Sequence, residues 1–227
     1  MLKKTVLIST ILVASSGAQA LSSASFTVAG TVNPPSCTLK LNGGVTNIDF
    51  GTMTAADARK LPTFGAAATP HYTMPTKTVD WNVDCTAPMP FELVLEDNNA
   101  GKVYPLDTNN ASRHGLVNAS AVTVGSITWA MSSTSLAATT ADGASVYGFF
   151  SALKGSTAWG TPATSINFLV PGKAFALAKL STSTSPLWVT KAQGKLEVTP
   201  YVNKGSVDVA TSSIGFSGSA KFTLQYL

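Results

Sequence analysis

The sequence predicts an all-β protein, and three observations support this fold class. Apolar and polar residues alternate along many short stretches, and Gly, Pro, Asn and Ser interrupt these stretches at short intervals. No long stretch repeats its apolar residues with a helical period. Together these features are typical of a sandwich or barrel of short strands, and the chain is long enough to build one large domain with a core.

The first twenty residues have the organisation of a secretory signal peptide. Lys3 and Lys4 form a short basic region, residues 5–14 form an apolar stretch, and Ala18-Gln19-Ala20 supplies the small residues of a cleavage site. We expect cleavage after Ala20 and export through the periplasm; a retained membrane anchor is the alternative.

The mature chain is only weakly charged. Loss of the signal peptide removes two lysines and no acids, so the formal charge falls from +4 to +2. This small excess does not indicate nucleic-acid binding. No run of eighteen apolar residues follows the signal, so we expect no transmembrane segment in the mature chain. Charged residues make up only 11% of the sequence, which suits an extracellular β protein better than a cytosolic enzyme.

The first predicted strand of the mature chain spans residues 25–32. Phe26, Val28, Gly30 and Val32 share one face, and residues 33–35, which are Asn-Pro-Pro, end or bend the strand. Alternation and turn residues predict further strands at residues 37–41, 47–51, 78–85, 91–95, 166–170, 175–177, 187–189, 194–202 and 207–209. A turn is expected at residues 42–44, and a short helix at residues 54–61, stopped by Pro62.

The middle of the chain, residues 98–164, has the weakest pattern. Apolar residues on either side of Gly125 suggest a strand pair there, residues 132–143 resemble a polar loop, and residues 146–153 suggest an aromatic-rich strand or a turn of helix. At the other end of the chain the pattern is clear again. Ala220, Phe222, Leu224 and Tyr226 alternate with polar residues and predict a last strand. No internal repeat or linker divides the chain, so one domain is expected.

Cys37 and Cys85 are the two cysteines of the chain. In an oxidising compartment such an isolated pair predicts one disulfide, which would contribute about 4 kcal/mol to stability through chain entropy. Two buried free thiols are the alternative. Neither cysteine has a histidine or a second cysteine at the spacing of a metal site, so no metal and no cofactor is expected.

The predicted strand at the start of the mature chain is free to pair outside its own fold. An added strand needs apolar side chains at alternate positions and a small residue where backbones approach closely. Five residues meet these demands: Ala24, Phe26, Val28, Gly30 and Val32. The alternative is an ordinary first strand that pairs within its own sheet.

On these residues the sequence resembles the pilins of chaperone–usher fimbriae, or a closely similar family of uncharacterised fimbrial-like exported domains. Cys37 follows Gly30 by seven residues, as the first cysteine follows the obligatory glycine of pilin extensions. The stretch Ile48-Asp49-Phe50-Gly51, the strand around Cys85 and the last thirty or so residues, with the penultimate tyrosine Tyr226, extend the resemblance.

The resemblance implies an immunoglobulin-like sandwich that lacks its final strand, in residues 36–227, preceded by a donor-strand extension in residues 21–35. In this family the cysteine pair, here Cys37 and Cys85, joins the first two strands. A periplasmic chaperone would bind along the C-terminal strand, at Ala220, Phe222, Leu224 and Tyr226. At the outer-membrane usher a neighbouring subunit's extension would replace the chaperone, building a surface fimbria that supports cell adhesion.

Two other functions were considered. An enzyme is not expected: Ser151 and Lys154 match a short Ser-x-x-Lys spacing, but the helical domain that hosts this chemistry is absent from the pattern. His71 and His114 are expected in loops, and Glu96 and Asp97 in a solvated turn. The stronger rival is a self-contained exported β-sandwich that binds a ligand, for example a glycan. Its candidate stacking residues, which core packing explains at least as well, are Trp129, Tyr147, Phe149, Phe150 and Trp159.

Overall fold

The computed structural model describes residues 35–41, 48–104, 110–132, 135–140, 143, 146–166 and 169–227. Within these ranges the chain forms fourteen strands, two short α-helices and a turn of 3-10 helix, so the all-β prediction is confirmed. The strands are β1 (Cys37–Leu41), β2 (Thr63–Phe64), β3 (His71–Thr73), β4 (Lys77–Met89), β5 (Phe91–Asp97), β6 (His114–Val117), β7 (Thr123–Ser132), β8 (Ala137–Thr140), β9 (Gly148–Leu153), β10 (Ser165–Ile166), β11 (Lys173–Ala178), β12 (Val189–Asn203), β13 (Ser217–Gly218) and β14 (Ala220–Tyr226). The helices are α1 (Ala55–Ala58) and α2 (Lys204–Asp208), and the 3-10 turn is Asn110–Ser112.

The larger antiparallel sheet is built around β12, and its main order is β1-β4-β12-β7-β6-β13. The fifteen-residue β12 also pairs with β3 and β8. Buried and exposed residues alternate along most of β12, as expected for a strand with one face in a core. Gly194 lies on the buried face beneath Trp81, where a Cβ atom would stand 2.9 Å from the indole ring. Glycine is therefore required there by the close approach of a large side chain.

The smaller antiparallel sheet has the order β14-β5-β11-β9. Its strands β5 and β11 direct Phe91, Leu93, Leu95, Phe175 and Leu177 into one cluster of buried residues. The larger sheet contributes Trp81, Val83, Leu196 and Val198 to the same cluster. One core thus joins both sheets. The opposite face of the smaller sheet has its own small cluster, formed by Phe150, Ala176 and Ala178 with Trp159 packed against them.

Two predicted strands are wrong because local hydrogen bonds favour turns. Residues 48–51 form no strand: Gly51 adopts φ +73°, and its N–H donates to the Asp49 carboxylate at 2.7 Å. Residues 207–209 belong largely to α2, whose first turn is capped by the Asn203 side chain accepting from the Ser206 N–H at 3.2 Å. The predicted helix at residues 54–61 is present as the shorter α1, capped by Thr54.

The middle of the chain also differs from the prediction. Gly125 does not separate two strands but lies inside β7, where a Cβ atom would stand 2.0 Å from the Tyr201 carbonyl oxygen. The hairpin partner of β7 is β6. Strand β8 lies within the stretch predicted as a polar loop, because its small Ala and Thr residues gave no clear alternation. Residues 194–202, predicted as a separate strand, lie within the longer strand β12, which begins at Val189; of the predicted strand 187–189, only Val189 belongs to it.

Both histidines were predicted wrongly as loop residues. His71 lies in β3 and His114 in β6, and both are fully buried. His71 Nδ1 lies 2.7 Å from the Thr69 carbonyl oxygen, and His114 Nε2 lies 2.9 Å from the Leu169 carbonyl oxygen. Burial lowers the pKa of each ring below its ordinary value, since a charged imidazolium would be poorly solvated there.

Because both pKa values are lowered in the folded state, the unfolded chain binds more protons below about pH 6.5. We therefore expect the free energy of unfolding to fall between pH 7 and pH 5, by at most about 1.4 kcal/mol per pH unit for each histidine. Urea denaturation at several pH values measures this slope.

The matched variant is His71→Asn with His114→Gln, whose amide nitrogens can occupy the positions of the two donating ring nitrogens. This variant should lose most of the slope between pH 7 and pH 5, although carboxylates such as Glu92 still titrate in both proteins. An unchanged slope would show that the histidines do not set the pH dependence.

Candidate functional site

Two strand edges of the protein pair on one side only. Strand β1 pairs with β4, from Cys37 opposite Cys85 to Leu41 opposite Trp81, and β14 pairs with β5 along its whole length. Among the strands that the structure describes, no second partner adjoins either of them. Each edge therefore carries a row of backbone N–H and C=O groups without a ladder partner.

The two open edges lie beside each other and run in opposite directions. At one end the Cys37 N–H donates to the Tyr226 hydroxyl oxygen at 2.9 Å, and that hydroxyl lies 3.4 Å from the Cys37 carbonyl oxygen, to which it can donate. Between the two edges is a cleft of about 540 Å³. Its lining consists of Cys37, Leu39, Lys40, Leu41, Lys221, Phe222, Thr223, Leu224 and Tyr226.

A second cleft of about 420 Å³ continues along the same boundary. One wall is residues 48–52 and the other is residues 213–220, while Leu116, Ile127, Trp129 and Val198 form the floor. The first cleft begins at Lys221, next to Ala220, where the second one ends. We call the two neighbouring clefts together the seam, with residues 37–41 and 48–52 on one side and residues 213–226 on the other.

Local contacts hold the walls of the second cleft in place. The Phe50 and Phe216 rings face each other across it with centroids 6.1 Å apart. Lys77 lies over the Phe50 ring at 5.6 Å and donates to the Asp49 carbonyl oxygen. At the far end the Ala55 N–H donates to the Ser212 carbonyl oxygen at 3.1 Å. The seam is therefore a formed groove with anchored sides.

The apolar side chains along the two sides of the seam are only half buried. Leu39 and Leu41 on β1, and Phe222 and Leu224 on β14, pack against the core yet keep part of their surface open to solvent. Phe50, Ile214 and Phe216 do the same in the second cleft. Half-buried apolar rows beside unpaired backbone are the two features that an added β-strand can complete.

A disulfide joins Cys37 to Cys85, as the sequence predicted. It connects the first residue of the five-residue β1 to its directly opposed partner on β4. Because β1 is short and pairs on one side only, this bond fixes the position of one wall of the seam.

The structure describes the predicted site residues of the C-terminal strand but not those of the N-terminal extension. Ala220, Phe222 and Leu224 lie half buried along the seam, and Tyr226 at its end is 52% exposed. The five predicted donor residues, Ala24, Phe26, Val28, Gly30 and Val32, lie outside the described residues, as does the predicted signal peptide, so these remain predictions. The opposite wall, formed by β1 and residues 48–52, was not predicted; alternation at Leu39 and Leu41 was the available signal.

The residues considered for catalysis occupy structural positions. Lys154 forms an ion pair with Glu96 at 2.5 Å, and Ser151 lies within β9. Glu96 and Asp97 end strand β5 rather than forming a solvated turn: Asp97 accepts hydrogen bonds from the Asn99 and Gly115 N–H groups at 2.8 Å. The described part of the chain contains no group of three or more His, Cys, Asp or Glu side chains that could hold a metal ion.

No protein-family model, curated protein or solved structure matches this chain. None of the described helices has the length and apolar character needed to cross a membrane, since α2, the longest α-helix among them, has five residues. What supports a function is therefore the geometry of the seam itself.

We expect the double variant Cys37→Ser with Cys85→Ser to lose about 4 kcal/mol of unfolding free energy, because the disulfide closes a loop between residues 48 apart. The loss should be local as well as global: amide hydrogen exchange should accelerate first in β1, while β11, which is paired on both sides, stays protected. Equal exchange in β1 before and after the substitutions would mean that backbone pairing alone holds this edge.

Proposed function

We propose that this chain is a structural subunit of a surface fimbria that assembles by donor-strand exchange and supports cell adhesion. The observation that carries the proposal is the seam, in which two strand edges lie side by side and, among the strands that the structure describes, have no partner on the sides facing each other. A strand placed between them would complete the hydrogen bonding of both and cover the half-buried apolar rows. In this proposal the fold is an immunoglobulin-like sandwich that lacks one strand.

The predicted N-terminal extension has the properties that such a strand needs. Its apolar residues occur at every second position from Ala24 to Val32, so they share one face of an extended chain. Nine residues of strand span about 30 Å. This length exceeds that of the seven-residue β14, so the extension can also reach the second cleft of the seam. Gly30 places the least bulk where backbones are closest.

The direction of the chain favours a neighbour's extension over the molecule's own. Residues 35 and 36 lead into β1 at the Cys37 end of the seam. The molecule's own extension would therefore run antiparallel to the five-residue β1 and parallel to the seven-residue β14. A neighbour's extension can instead run antiparallel to β14, which places the slightly more stable antiparallel pairing on the longer of the two edges.

The proposal also includes a transient partner during export. Before polymerisation the seam exposes unpaired backbone and apolar side chains, which is the condition that leads to aggregation through strand edges. A periplasmic chaperone that lends a strand along Ala220, Phe222, Leu224 and Tyr226 would protect it, and an outer-membrane usher would exchange that strand for the next subunit's extension.

We expect the mature chain, expressed in periplasm without a chaperone, to aggregate or be degraded, because no partner's strand then covers its seam. Co-expression with a fimbrial chaperone should yield a soluble one-to-one complex, measured by size-exclusion chromatography with light scattering. A stable monomer obtained without any chaperone, with its own extension protected from proteolysis, would instead support a self-contained exported binding protein.

Polymerisation itself is tested with Gly30→Leu and the matched control Ala29→Leu, which adds the same kind of side chain to the other face of the predicted strand. Gly30→Leu should reduce fibre formation at least about tenfold through steric conflict at the close approach, whereas Ala29→Leu should assemble normally. Electron microscopy and denaturant-resistant oligomers on gels report assembly.

Deleting residues 21–31 should abolish fibres while leaving chaperone binding intact. On the receiving side, Leu39→Glu should impair assembly and Thr38→Glu, on the exposed face of β1 and outside the cleft lining, should not. Normal fibres from both Gly30→Leu and the deletion would refute donor-strand exchange through this extension.

A further inference from the structure

A third cleft, separate from the two clefts of the seam, lies on the outer face of the smaller sheet and has a different chemistry. It has a volume of about 430 Å³. We call it the tryptophan cleft and define it by Glu92, Trp159, Trp188 and Gln225. The rest of its lining is Pro90, residues 155–157, residues 184–186, Tyr226 and Leu227.

Glu92 forms the base of the tryptophan cleft. It lies on β5 opposite Ala176 of β11 and Gln225 of β14, so its side chain shares the outer face of the sheet with theirs. Glu92 is only 2% exposed. The Gly155 N–H donates to the carboxylate, but Oε2 is buried and has no hydrogen-bond partner among the residues that the structure describes.

A buried carboxylate with an unpaired oxygen destabilises a fold, because its desolvation is not compensated by hydrogen bonds. An apolar residue at position 92 would pack better beside the alanines of β11. Burial accordingly raises the pKa of Glu92. The fold nevertheless keeps the Glu92 carboxylate, a hydrogen-bond acceptor, at the base of an open cleft. A ligand that carries hydroxyl groups can use such an acceptor.

Two tryptophans form the apolar part of the cleft, and each is positioned by its own segment. Trp159 lies in the connection after β9 and packs on Phe150, with ring centroids 5.9 Å apart. Trp188 follows Leu187, whose N–H donates to the Leu177 carbonyl oxygen at 2.8 Å. Trp188 is nevertheless 59% exposed. A large aromatic ring left open to solvent beside a polar base is typical of a recognition surface.

The rim and the charge of the cleft define the ligand further. Ser156, Thr157, Thr184 and Ser185 supply hydroxyls, and Gln225 supplies an amide, so donors and acceptors surround the aromatic surfaces. No Lys or Arg lines the cleft among the described residues, which disfavours an anionic ligand. The positive charge of Lys154 acts on Glu92 and offsets its negative charge, which disfavours an ammonium ligand.

We propose that the tryptophan cleft binds a neutral pyranose ring of a carbohydrate. The apolar face of the sugar packs on the indole of Trp188 and reaches Trp159, while sugar hydroxyls exchange hydrogen bonds with Gln225 and the rim hydroxyls. Because Glu92 Oε2 is buried, it accepts from a sugar hydroxyl once the Glu92 side chain turns toward the cleft. This site does not depend on donor-strand exchange: of its described lining residues only Tyr226 also lines the seam, and Glu92, Trp159, Trp188 and Gln225 line neither of its clefts.

The site differs from the glycan-stacking residues considered from the sequence. Trp129, Phe149 and Phe150 are buried in the two clusters, so they have no free face for a sugar, whereas Trp159 is half buried and lines the cleft. Tyr147 is exposed but lies outside the cleft lining. Trp188 was not singled out, because an aromatic beside Leu187 and Val189 resembles a core residue.

Saturation-transfer NMR tests the proposal on the mature chain, because it works on monomers and on assemblies alike. The probes are methyl pyranosides of glucose, galactose, mannose and N-acetylglucosamine, with choline as a cationic probe. We expect weak binding of at least one pyranoside, which Trp188→Ala weakens at least about tenfold, and which Glu92→Gln weakens several-fold because an amide offers one acceptor oxygen instead of two.

The matched control is Tyr147→Ala, which removes an exposed aromatic ring outside the cleft and should leave sugar binding unchanged. Circular dichroism of each variant confirms that the fold is retained; Trp188 is mostly exposed, so its removal should not unfold the protein. Binding of choline alone, no binding of any pyranoside, or equal losses in Trp188→Ala and Tyr147→Ala would overturn the proposal.

Discussion

Backbone hydrogen bonding is the constraint on which the rest of this structure depends. Strand β12 has paired strands on both sides along most of its length, β4 and β3 on one side and β8 and β7 on the other. Among the described strands, the edge strands β1 and β14 have a partner on one side only. Their other sides face each other across the seam, whose walls carry half-buried apolar side chains. The seam is thus a consequence of where the two sheets stop.

The parts of the fold that the sequence predicts well are the strands in which apolar residues occur at every second position. Strands β4, β5 and β14 show clear alternation, and the structure has a strand at each of these positions. The disulfide followed from the presence of a single cysteine pair in a chain with an export signal. Neither inference needed knowledge of which strand pairs with which.

The parts that failed depend on long-range contacts or on local side-chain caps, neither of which the apolar pattern shows. His114 precedes a glycine, which suggests a turn, yet that glycine lies against the backbone of Asn99 and the histidine is enclosed by the core. Residues 207–209 alternate like a strand but follow Asn203, whose side chain begins a helix. One wall of the candidate site was visible as the apolar row of β14. The other wall was not, because local sequence does not reveal which edges remain open.

The hydroxyl of Tyr226 has a consequence for any strand that enters the seam. It binds both backbone groups of Cys37 at one end of the groove, and at the opposite end the Ala55 N–H donates to the Ser212 carbonyl oxygen. A guest strand would therefore meet a fixed contact at each end. Since a strand that slips by one residue turns its apolar face outward, two fixed ends of this kind would hold the guest in alignment.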